Sequence, residues 1–181
     1  PREGIWRFRV YASGSSRNEF HIWLPIRNFL PDSTFFLRPD PFETLSDLGT
    51  GEGSISATAY NHTTGALYLE ASRGYTDDGR VKPDLAAPGV NVYGPAIRER
   101  ADAPYGYTRR SGSSIAAAHT AGAAALLMEW SGERRLSGTQ IRRYLIRGAG
   151  RNPEQEYPNP SWGYGTLDLY GTFERLTQNR S

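Results

Sequence analysis

Thr108-Arg-Arg-Ser-Gly-Ser-Ser-Ile-Ala-Ala-Ala-His-Thr-Ala-Gly-Ala-Ala-Ala-Leu-Leu-Met-Glu-Trp130 decides the fold. A polar turn, Ser111-Gly-Ser-Ser114, runs into the most helix-prone segment of the chain. Alanine is the best helix former, and the helical part holds seven. Ser113 and Ser114 stand where loop becomes helix, a place that suits hydroxyls because their oxygens cap free backbone N–H groups. Those N–H groups and the helix dipole also favour negative charge. An acyl-transfer nucleophile wants such surroundings, since an oxyanion develops beside it. Read alone, the stretch is a capped, buried helix from Ile115 to Trp130, with Ala116, Ala117, Gly122, Ala123 and Ala124 small enough for close packing.

The rest of the chain bounds the choices. A length of 181 residues allows one domain with a sizeable core, and 38% hydrophobic with 22% charged residues is a globular balance. A net charge of +2 with scattered arginines does not point to nucleic acid. The absence of cysteine excludes disulfides and thiolate metal sites. No apolar run approaches a membrane span, and no signal peptide is visible. The opening Pro1-Arg-Glu-Gly fits either a lost initiator Met or a piece of something longer.

Upstream of the serine stretch, residues 70–92 read as a series of tight turns ending in a short strand, Val90-Asn-Val92. Lys82-Pro-Asp84 sets a carboxylate beside a base, and the favoured role for Asp84 is to accept backbone N–H bonds and fix loops. Ile55–Tyr60 alternates as a strand, Asn61–Gly65 is a turn, and Ala66–Glu70 reads as the returning strand. The turn carries an Asn-x-Thr sequence, taken as structural rather than as a glycan acceptor. Residues 94–107 form a loop. Further upstream, Trp6, Phe8 and Val10 alternate with Arg7 and Arg9, and Phe20, Ile22 and Leu24 alternate with His21 and Trp23. Together with the run Phe35-Phe-Leu37, these predict antiparallel β structure over residues 1–45. His21 and Trp23 cover a neighbouring layer more readily than they bind a sugar or peptide. Downstream, Ser137–Arg147 is an amphipathic helix with Ile141, Leu145 and Ile146 inside and arginines outside. Trp162–Gly165 is a turn, and Leu167–Leu176 a last helix.

Three ordered stretches resemble the C-terminal part of a subtilisin-like serine peptidase, a subtilase. Ser72-Arg-Gly-Tyr-Thr-Asp-Asp-Gly-Arg-Val-Lys-Pro-Asp-Leu-Ala-Ala-Pro-Gly89 is similar to the family's S-R-G-P-T-x-D-G-R-x-K-P-D-x-x-A-P-G. Ser111–Leu127 is similar to its nucleophile motif, G-T-S-M-A-x-P-H-V-A-G-x-A-A-L. Gly163-Tyr-Gly-Thr-Leu-Asp-Leu169 is similar to its closing G-x-G-x-(L/V)-(N/D). The resemblance implies that Ser114 is the catalytic nucleophile and that its N–H is one oxyanion donor. Ser113 replaces the usual Thr and keeps the hydroxyl, while Ala118 replaces Pro. His119 and Asp84 fall on structural positions. An α/β-hydrolase elbow, G-x-S-x-G, fits at Gly112 and fails at Ala116.

A serine of this kind needs a base and an orienting carboxylate, and the subtilase order is Asp, His, Ser. The only histidines here are His21, His62 and His119, none in the family's H-G-T-H setting, and the Asp motif and oxyanion Asn are absent. The β segment resembles half of the jelly-roll insertion of clostridial subtilases, including spore-germination proteases. Phe20–Pro25, Leu37–Asp40 and Ala116–Gly122 carry that likeness. The expected fold class is therefore α/β: the C-terminal part of a three-layer subtilisin-like fold with a parallel sheet (residues 49–181), after a partial jelly-roll insertion (1–48). The expected function is serine endopeptidase, secreted or spore-associated in a bacterium, inactive as residues 1–181 alone. The rival is a pseudoprotease or a binding module. The partners implied are a peptide substrate, an N-terminal remainder bearing Asp and His, and a homo-oligomer if one covers exposed surface. No cofactor is expected; calcium stays open, because no recognisable ligand loop stands out to decide it.

Overall fold

A parallel strand pair with a helix laid across it forms the centre of the larger unit of the chain. The computed structural model describes residues 4–11, 13–14, 20–25, 29–97, 104–132 and 135–178. The chain divides into two units, residues 1–38 and 39–181. The second unit carries α1 (Asp47–Thr50), β1 (Ala57–Tyr60), β2 (Leu85–Pro88), β3 (Val92–Pro95), β4 (Tyr107–Arg110), α2 (Ser113–Ser131), α3 (Gly138–Gly148) and α4 (Leu169–Gln178).

β1 and β2 pair in parallel, Ala57 opposite Leu85 through Tyr60 opposite Pro88. Single bridges widen the sheet: Leu67 antiparallel to Tyr60 on one side, and Thr166 parallel to Ala86 on the other, with Gly150 beyond Thr166. Parallel strands are covered on both faces, and Thr58, Ala59, Leu85, Ala86 and Ala87 are all buried. Small residues let α2 lie close: Ala116 packs with Ala59 and Ala87, all three fully buried. Along α2 the buried residues are Ala116, Thr120, Ala123 and Leu127, one helical stripe facing the sheet. Leu127 and Ala123 join Leu85, Ile141, Leu145 and Ala149 in the main core, against which Leu169, Phe173 and Leu176 of α4 pack. α3 begins with a capping box: Ser137 Oγ accepts from Gln140 N–H, and Gln140 Oε1 accepts from Ser137 N–H. Next to the sheet, Tyr60 packs on Trp162 with ring centroids 5.7 Å apart. Burial, then the Asp168 charge, pushes the Tyr60 phenol above its ordinary value of 10.0.

Several expectations change. No strand occurs among the described residues of 1–45, so the predicted strands at 5–11 and 20–24 and the run 35–37 are not formed there, and the described residues give no support to the jelly-roll insertion. Alternation makes a strand only where a ladder partner and a covering layer exist, and the predicted inner face is open: Trp6 is 71% and Phe8 72% exposed. His21 and Trp23 do share a face, their rings stacked at 5.4 Å. The turn series at 70–92 hides a core strand, β2, because Leu-Ala-Ala-Pro has neither alternation nor β-branched residues. The strand placed at Val90–Val92 lies at Val92–Pro95. The loop at 94–107 leads into β4, antiparallel to β3, and part of it lies outside the described residues. Ala66–Glu70 contributes one bridge rather than a strand. α2 starts two residues early, with Gly112 as its N-cap and no side-chain cap bond, so neither serine caps it. Among the described residues no helix is long and apolar enough to cross a membrane.

Candidate active site

Ser114 is the second residue of α2 and is exposed. The first N–H groups of a helix have no intrahelical acceptor. Here the N-cap glycine has no side chain to satisfy them, and only Ile115 N–H turns back, to Gly112 C=O at 3.1 Å. Among the described residues the N–H groups of Ser113 and Ser114 meet no acceptor, at the positive end of a 19-residue helix. That end suits a developing oxyanion beside Ser114 Oγ.

The serine lies at the head of an open groove of about 710 Å³ that follows α2, lined by Pro88, Ala118, Gly122, Leu126 and Leu167 among others. The groove runs along one flank of α2, beside Pro88 at the end of β2 and Leu167, whose N–H donates to Ala86 C=O. α2 is apolar nearly all round, with no charged residue before Glu129 except His119 when protonated. A helix of that composition belongs inside a protein, yet Ala117, Ala118, Gly122, Leu126 and Met128 are exposed.

His119 lines the same groove, but five residues beyond Ser114 on one helix it sits about 7.5 Å further along the axis. Its Nδ1 is 2.9 Å from Ile115 C=O, the bond of a histidine held by its own helix. That arrangement gives it no path to take the Ser114 proton. His62 belongs to the turn that Asn61 Oδ1 closes by accepting from Thr63 and Thr64 N–H. That turn is structural, as its sequence suggests.

Asp84 is fully buried and is an anchor. Its Oδ2 accepts from Ser56 N–H at 2.8 Å and from Lys82 Nζ at 2.8 Å, and its Oδ1 accepts from Arg142 Nε at 2.5 Å. Lys82, 2% exposed, also donates to Ser54 C=O at 2.7 Å. One carboxylate thereby ties the entry of β1, the entry of β2 and helix α3, the frame on which α2 rests. The role of Arg142 had no sequence signal, since it is one of several arginines on an amphipathic helix. Ala87-Pro-Gly89 signals the bend ahead of β3 in the sequence, but nothing there signals that the corner at Gly89–Asn91 rests against the serine turn.

The profile of the subtilase family matches residues 12–165. Minor extracellular protease Vpr of Bacillus subtilis is 33% identical over 107 residues, 55% of this chain and 12% of that protein. Serine protease AprX of the same organism is 27% identical over 146 residues, 76% of this chain and 31% of that protein. Among solved structures, the CspB protease of Clostridium perfringens superposes with a TM-score of 0.74 at 38% identity, over 84% of this chain and 32% of that one. The chain thus spans about a third or less of the length of each of these three relatives.

Proposed function

The chain belongs to the subtilase family, and from that premise we propose that it supplies the nucleophile, Ser114, of a bacterial serine endopeptidase. The observation that carries this reading is the placing of Ser114: exposed on the first turn of α2, with N–H groups that meet no acceptor among the described residues, at the head of a groove. In the proposed reaction Ser114 Oγ attacks the scissile carbonyl and loses its proton to a base. The Ser114 N–H donates to the oxyanion, and the acyl-enzyme that forms is released by water.

The base and the carboxylate that orients it come from sequence outside residues 1–181. Two observations support this. The described surroundings of Ser114 offer only His119, which is held by Ile115 C=O. The apolar outer side of α2 also needs a cover, which the same sequence would supply. Residues 1–181 alone are then inactive, because losing the base and its orienter removes roughly 10⁴-fold or more of the rate. The relatives named as an extracellular protease and as the clostridial CspB protease support a secreted protein acting on peptide substrate. A role on the spore is the finer form of that proposal.

Complementation tests it. Peptide hydrolysis should appear when the chain is joined to a segment carrying the family's Asp and His motifs, and should be missing from either part alone. An assembly that binds tightly yet hydrolyses nothing would favour the pseudoprotease.

A further inference from the structure

The corner between β2 and β3 holds the serine turn at two points. Gly112 N–H donates to Gly89 C=O at 2.8 Å. Asn91 N–H donates to Ser111 Oγ at 3.0 Å. Asn91 takes a φ of +54°, a left-handed conformation that asparagine tolerates. Gly89 is buried, and a methyl group there would lie 2.6 Å from Ala59 Cβ, 3.0 Å from Gly112 C=O and 3.3 Å from Ala116 Cβ. The corner is therefore wedged between the sheet, the serine turn and the first turn of α2.

Ser114 follows Gly112 by two residues, a span of at most about 7 Å. Ala116, two residues further on, is fully buried against Ala59 and Ala87. With its helix fixed behind it, Ser114 takes its place from how the turn in front is held.

We infer that Ser111 and Gly89 are positioning residues for the Ser114 hydroxyl. The inference rests on Ser114 being the nucleophile. Neither residue touches the reacting atoms. They act by setting the height of the turn against the end of β2, and a misplacement of about 1 Å can cost on the order of 10²-fold in rate. Ser111 separates positioning from mere stability. It is exposed, so water replaces its bond to Asn91 N–H when the hydroxyl is removed, and folding loses little.

The test uses the protease assembled from this chain and the segment bearing its base, followed by kinetics and melting. Ser111→Ala should lower kcat roughly tenfold or more with KM within about twofold. Its Tm should move by no more than about 4 °C. Ser111→Thr keeps the hydroxyl and should return kcat to within about twofold of the parent. Gly89→Ala should lower kcat in the same sense, and if it fails to fold the Ser111 pair decides. A kcat for Ser111→Ala within about twofold of the parent, alongside an inactive Ser114→Ala, overturns the positioning role alone. An assembly without hydrolysis, or one in which Ser114→Ala hydrolyses normally, overturns the nucleophile assignment and this inference with it.

Discussion

Replacing Asp84 by alanine should unfold more of this chain's stability than any other single polar substitution. Asp84 is fully buried, and its carboxylate accepts from Lys82 Nζ, Ser56 N–H and Arg142 Nε. Arg142 is 32% exposed and can turn its guanidinium to water. Lys82 cannot follow, because its side chain is 2% exposed and pinned beneath Ser54. Asp84→Ala therefore strands a buried ammonium, a loss of about 3–5 kcal/mol for breaking such a pair. The Ser56 N–H is left unpaired as well, at roughly 1–3 kcal/mol, though the two are not additive. A domain's whole stability is about 5–15 kcal/mol, so the variant should sit near the edge of folding. Urea unfolding followed by circular dichroism reads the loss as a fall in midpoint at constant slope. The companion variant Lys82→Met/Asp84→Leu removes both charges and fills the space, and should recover more than half of the loss. A loss under about 1 kcal/mol for Asp84→Ala would refute the reasoning, as would a double variant no better than the single.

Other perturbations follow from the same structure. Leu127→Ala empties a fully buried site in the main core and should cost about 2–5 kcal/mol in urea unfolding. Ser137→Ala removes the capping box of α3 and should cost about 1 kcal/mol, read as a fall in Tm of a few degrees. The raised phenol of Tyr60 favours the protonated form in the folded state. Its stabilising effect is therefore present below the ordinary value of 10.0 and lost as pH rises through the higher folded value, so Tyr60→Phe should flatten the fall in stability above pH 10.

The serine helix was legible because its information is local. Seven alanines and a polar turn fix both the helix and the place of Ser114 within a residue or two. The helix at Gly138–Gly148 was legible for the same reason, its apolar residues falling on one side. Local signals failed where tertiary partners decide. Trp6, Phe8 and Val10 alternate as well as any strand, but alternation only offers a face, and the described structure gives that face no cover. Leu85-Ala-Ala-Pro88 shows no strand signal, yet with β1 it forms the parallel pair against which α2 packs, because small residues suit a doubly covered parallel position. The site divides in the same way. The sequence shows Ser114 as a motif, and it marks Asp84 as an anchor by the charges beside it. The grip of Gly89 and Asn91 on the serine turn, with contacts reaching across more than twenty residues between Gly89 and Gly112, exists only in three dimensions.

The most direct measurement is fluorophosphonate labelling, read by intact mass, on the chain alone and on the chain assembled with the segment carrying the family's Asp and His motifs. The account predicts no labelling of the chain alone, one adduct on the assembly, and none when Ser114→Ala is assembled in its place. An adduct that survives Ser114→Ala, or an assembly that stays unlabelled, would contradict it.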